Sequence, residues 1–201
     1  MSRFLCVAAL SLAALIAGCA SPTPPPVLLA LPALAGATPP AAGSAGVPSR
    51  VLALRRVAIP EYLVARRVRY RADASTLAEW PHTFWAERIE VAVMREFAAA
   101  LRQRLPGWTV CEAACADLAP ELNLQVDLAP LDYLRGMRRL DARARIVLAT
   151  AGAVPRTLDA RELAFSIAAA ADGAPGQAQA LSELLGALAQ QVAPLVQAAP
   201  R

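Results

Sequence analysis

The sequence predicts an α/β fold, one two-layer domain in which a mixed sheet with an antiparallel meander carries two amphipathic helices. Three observations lead there. Trp85, Ile89, Val93, Phe97, Leu101 and Leu105 recur every four residues, with Met94 beside them, as one face of a helix over Thr83 to Leu105. Three segments between residues 121 and 167 alternate apolar and polar side chains, the pattern of strands with one covered and one wet face. A second helical stripe follows over Gly176 to Val196, made of Leu181, Leu184, Leu185, Leu188, Val192 and Leu195. The 201 residues are enough for one domain with a real core and short for two.

The front of the chain stands outside that domain. Arg3 precedes an apolar stretch from Phe4 to Ala17, too short to span a bilayer comfortably but fitting the core of a secretory signal. The stretch ends in Leu15-Ile16-Ala17-Gly18-Cys19 and then breaks into prolines at 22, 24, 25 and 26. This resembles the lipobox of bacterial lipoproteins. The small residues at 17 and 18 suit a narrow peptidase site, and the Cys19 thiol is the acyl acceptor. Residues 1–18 are thus expected to be a signal peptide cleaved between Gly18 and Cys19, and residues 19–26 a lipidated tether. A single acyl chain gives marginal membrane binding, so the triacylated, palmitate-type cysteine that the resemblance implies is a lasting anchor. Ala20 stands where inner-membrane retention commonly uses aspartate, which favours the outer membrane.

The domain is expected over residues 27–198. Val27 to Leu31 reads as a first strand about eight residues from Cys19, a reach of at most ~28 Å. Residues 35–49 form a flexible low-complexity loop. Val51 to Ile59 is a strand stopped by Pro60, with Glu61-Tyr62-Leu63 as the turn. The next strand places Arg67, Arg69 and Arg71 on one face and Val68 and Tyr70 on the other. Trp80-Pro81-His82 is read as an exposed loop before the long helix, which Pro106-Gly107 ends. Trp108-Thr109-Val110 opens another strand. The meander then follows as Glu121 to Leu128, Leu140 to Leu148 and Arg156 to Ile167. The last helix is expected to kink or end at Pro194.

"VAIPEYL" (Val57 to Leu63), "FWAERIEVAV" (Phe84 to Val93) and "LPGWTV" (Leu105 to Val110), in this order with the lipobox, resemble the ABC-type transport auxiliary lipoproteins of the PqiC type. The resemblance runs from Val27 to about Val196. The chain departs from the pattern at Val27-Leu28-Leu29, where members often carry tyrosines. The resemblance implies a non-catalytic outer-membrane subunit of an intermembrane lipid transport system. Its partners would be an MCE-domain protein and inner-membrane transporter subunits, and it could work as a homo-oligomeric ring. The alternative is an envelope assembly or structural lipoprotein with no transporter.

The candidate sites are few. Cys111 and Cys115 suit a structural disulfide in an oxidising compartment, with free thiols as the other reading. The row Arg67, Arg69, Arg71 and the neighbouring Trp80 are candidates for contact with a partner or with lipid headgroups; an ordinary solvated strand face is the plainer reading. Arg135, Arg138 and Arg139 are placed in a turn. Trp85 is assigned to the core. A net charge of +4 spread along the chain does not predict a nucleic-acid binder. One histidine, His82, cannot build a metal site without help, no G-x-S-x-G nucleophile motif or Gly-rich phosphate loop occurs, and Asp127 lies on the polar face of a strand. No enzyme and no cofactor are expected.

Overall fold

The computed structural model describes residues 24–33, 50–112, 115 and 118–200. The signal peptide, Cys19 and the 35–49 loop read from the sequence lie outside these residues. Among them, eight strands form one mixed sheet around a long central strand, β6. The elements in chain order are β1 (Val27–Leu29), β2 (Arg50–Ala58), β3 (Arg67–Arg71), β4 (Leu77–Trp85), α1 (Ile89–Arg104), β5 (Trp108–Glu112), β6 (Leu122–Leu134), β7 (Arg139–Thr150), β8 (Thr157–Ala168) and α2 (Ala174–Gln197).

One edge of β6 pairs along its length with antiparallel β7, from Leu122 opposite Thr150 to Leu134 opposite Arg139, and β8 adds to β7. The other edge forks. Its first half takes β2 in parallel, with β5 beyond; its far end takes β3, where Arg71 meets Leu134. Antiparallel β4 and then parallel β1 extend that second arm. Pro60 and the 3-10 turn Glu61–Leu63 make the fork, because the proline ends β2 and the tight turn redirects the chain into β3.

The inward sides of the strands supply the core: Leu52 and Leu54 from β2, Leu122 to Leu128 at alternate positions of β6, and Leu140 to Leu148 at alternate positions of β7. Helix α1 packs over β2 and β5, α2 over β7 and β8, and the helices pack on each other. Phe97, Leu101 and Leu184 are fully buried where these layers meet. Each such side chain contributes roughly 1.5–3 kcal/mol of burial. Gln125, Asp127, Arg143 and Arg145 face solvent on the other side.

Three boundaries differ from the sequence expectation. The helix expected from Thr83 begins at Ile89, since Thr83, Phe84 and Trp85 complete β4. Thr83 and Trp85 are buried and Phe84 half-buried, a period of two that the four-residue spacing from Trp85 to Ile89 conceals. Strand β6 runs past Leu128 to Leu134, taking Pro130 into a bulge between Leu128 and Leu131, where no ladder donor is needed. Helix α2 continues through Pro194 to Gln197. In the last turn a proline removes one donor only, and the Gln190 carbonyl it would have met is on the exposed side.

Candidate anchoring and docking surface

β1 is where the chain arriving from Cys19 joins the sheet. Val27, Leu28 and Leu29 pair with Thr83, Phe84 and Trp85, and the Ala86 amide donates to the Leu29 carbonyl at 2.7 Å. Leu31 then dives into the core, while Val27 and Leu28 stay 51% and 57% exposed on the outermost strand of this arm.

β3 holds the arginine row as expected, with Val68 and Tyr70 buried beneath it. Its guanidiniums are largely committed within the protein. Arg69 Nε lies 3.2 Å from Glu79 Oε1, and its Nη1 donates to the Tyr62 carbonyl at 2.9 Å. Arg71 Nη2 and the Tyr62 hydroxyl both donate to Asp132 Oδ1, at 2.9 and 3.0 Å. The Asp132 hydrogen bond raises the Arg71 pKa above the usual guanidinium value. Burial first, and the Asp132 charge second, push the Tyr62 hydroxyl up. Arg67 differs: it pairs with Glu79 at 3.4 Å, its side chain is 52% exposed, and its guanidinium carbon lies 5.1 Å from the Phe84 ring centroid. Arg66, one residue before the strand, lies 6.0 Å from the same ring. The solvent-facing cations therefore gather at the Arg66–Arg67 end. Asp132 and Tyr62 were not among the expected site residues; Asp132 meets Arg71 across the β3–β6 pairing, which leaves no periodic signal.

Trp80 corrects the exposed-loop reading. It lies within β4 at 7% exposure, its ring 4.5 Å from that of Tyr70. Its Nε1 donates to Gln177 Oε1 at 2.7 Å, and Gln177 Nε2 donates to the Arg69 carbonyl at 2.6 Å. A tryptophan with its polar atom bonded and both faces packed is core, so it is not a contact for partner or headgroup. The Arg135 guanidinium closes over it at 4.5 Å from the centroid. His82, also in β4 rather than a loop, is exposed with a left-handed φ of 49°. Arg135 sits in a 3-10 turn, Arg138 in left-handed backbone after it, and Arg139 opens β7.

Cys111 in β5 and Cys115 are joined, with sulfurs 1.92 Å and Cα atoms 5.3 Å apart. Two shallow recesses flank the β1 arm. One of about 380 Å³ lies between Val64–Arg66 and the start of α1; one of about 600 Å³ lies between the Leu29–Ala33 exit and the Ala178–Ser182 side of α2. Among the described residues no group of three or more His, Cys, Asp or Glu is placed to hold a metal ion. No helix among them is long and apolar enough to cross a membrane.

The fold recurs in solved structures. A crystal structure of an uncharacterized protein superposes with a TM-score of 0.66 at 18% identity, covering 86% of this chain and 99% of the other. A Xanthomonas campestris protein of family DUF330 gives 0.58 at 13% identity over 75% of this chain and 84% of its own. At these identities the likeness is one of fold. No curated protein sequence matches the chain. A family model does: it spans residues 30–193, from just after β1 to one turn short of the end of α2, and takes in strands β2 to β8, α1 and most of α2. By that match the chain belongs to the ABC-type transport auxiliary lipoprotein components, a transport-associated lipoprotein family.

Proposed function

We propose that this protein is the outer-membrane lipoprotein subunit of an MCE/ABC-type intermembrane lipid transport system. Acylation of the Cys19 thiol and cleavage between Gly18 and Cys19, which frees the Cys19 α-amino group, leave an acylated cysteine at the mature N-terminus that holds domain 27–198 on the periplasmic face. There it serves as a non-catalytic docking or ring component for an MCE-domain protein and its inner-membrane transporter subunits. The observation that carries this reading is the short link between a lipobox cysteine and the first strand of a transport-auxiliary domain. About eight residues separate Cys19 from Val27, so an anchored domain stays within ~28 Å of the bilayer. A role of position needs no catalytic group.

Replacing Cys19 by serine tests it. The wild-type protein is expected to sediment with outer-membrane vesicles and to recover an MCE-domain protein from a detergent extract. The Cys19→Ser protein is expected in the soluble periplasmic fraction, in cells as detergent-sensitive as a deletion strain. Unchanged sedimentation of the variant, or wild-type recovery of no MCE-domain protein, defeats the reading; resistance unchanged on deletion points instead to a structural lipoprotein with no transporter.

A further inference from the structure

The outer arm of the sheet carries a surface that the anchor alone does not explain. Leu28 pairs in register with Phe84, and Phe84 in turn with Arg67, so the three side chains lie in a line on one face of β1, β4 and β3. Leu28 is 57% exposed, and Val27 stands exposed beside it at the strand's start. Arg67 and Arg66 flank the Phe84 ring at 5.1 and 6.0 Å. Arg67 and Arg69 share the single carboxylate of Glu79, and Arg66 has no ion-pair partner among the described residues, so the patch is cationic. Its chemistry is apolar at the edge, then aromatic, then guanidinium. This is the order a side-chain set needs to sit at the boundary between acyl chains and phosphates.

We propose that this edge lies on the bilayer, with Leu28 and Phe84 at the level of the lipid headgroups and Arg66 and Arg67 on the phosphates of anionic phospholipid. The inference rests on the anchoring of Cys19 proposed above, and the tether selects a bilayer as occupant. The chain enters the domain at Val27, next to Leu28, so the anchored end of the protein and the patch are the same end. Acylation and the patch then act as two signals, with each arginine adding electrostatic attraction to an anionic surface. The domain stands edge-on, with the β7–β8 end of the sheet, away from the β1 edge, turned from lipid.

The test places a photoreactive benzoylphenylalanine at position 28, and separately at the exposed position 143 in β7, toward the opposite end of the sheet, in the full chain produced with its own signal. The purified protein is reconstituted in vesicles of phosphatidylethanolamine and phosphatidylglycerol and irradiated. The same samples are read by mass spectrometry for the acyl state of Cys19. Lipid adducts at 28 and not at 143 are expected, falling roughly thirtyfold in an Arg66→Gln, Arg67→Gln background of unchanged far-ultraviolet circular dichroism. An acylated protein whose position 28 gives no more lipid adduct than 143 overturns the proposal and leaves the anchoring reading intact. Adducts at 28 without acylation sustain the proposal and overturn the anchoring reading; the absence of both overturns both. Adducts to a second protein in whole cells, in place of lipid, overturn the proposal by making the edge a protein interface.

Discussion

Trp80 ties three elements together through one side chain. Its indole packs against the tilted ring of Tyr70 of β3, and its N–H bonds Gln177 in the first turns of α2, whose amide in turn holds the Arg69 carbonyl. A buried amide in such a relay has no water to replace a lost partner. Trp80→Phe keeps most of the apolar area and strands Gln177 Oε1, so we expect a loss of about 1–3 kcal/mol in urea unfolding. A midpoint equal to wild type would show that the relay contributes nothing. The sequence around Trp80 explains why it reads as surface: Pro81 and the lone His82 follow it, and both are exposed in the structure. Only Trp80 itself turns inward, because its partners, Tyr70, Tyr133 and Gln177, come from remote segments. The arginine row was legible from its period of two. Its internal ion pairs were not, since Asp132 reaches Arg71 across a strand pairing that local spacing does not encode.

At the scale of elements, patterning located both helices and every described strand except β4, which read as loop and helix start because two periods compete at the β4–α1 junction. The start of α2 also moved. Gly176 reads from sequence as the residue that opens the helix, yet α2 begins at Ala174 and Gly176 serves a close approach. A Cβ there would sit 1.9 Å from the Ala171 carbonyl oxygen, which belongs to the loop returning from β8. Alanine is the better helix former by about 1 kcal/mol. We nevertheless expect Gly176→Ala to destabilise the protein by about 1–3 kcal/mol, because the loop must move off the helix. Gly136→Ala, with nothing within 4 Å of the added carbon, is the control and should stay within about 0.5 kcal/mol. Equal urea midpoints for the two variants would show that the loop yields without cost. The Cys111–Cys115 bridge is a smaller device: it closes so short a loop that its entropic contribution is about 2 kcal/mol at most.

For the whole molecule, the sequence supported a single two-layer domain with a meander but not the order of its strands. The fork at β6 depends on β2 and β3 sharing one edge, and pairing between distant strands leaves no mark in either. What the chain does state is the distance from its lipobox cysteine to its first strand. That distance gives a prediction at this scale, because a subunit that works by position depends on how tightly it is held. Inserting about 20 Gly/Ser residues after Pro26 leaves the acyl acceptor and the domain untouched. It lengthens the link from ~28 Å fully stretched to a flexible chain of about 28 residues. The effective concentration of the domain at a fixed docking point falls roughly as the −3/2 power of linker length, here about sixfold. Sedimentation with outer-membrane vesicles should therefore be unchanged, while recovery of the MCE-domain partner after in-cell cross-linking and growth in detergent both fall. Anchoring without proximity would then be insufficient. If the lengthened protein supports detergent resistance as well as wild type, the short tether is incidental and the domain finds its partner by affinity alone.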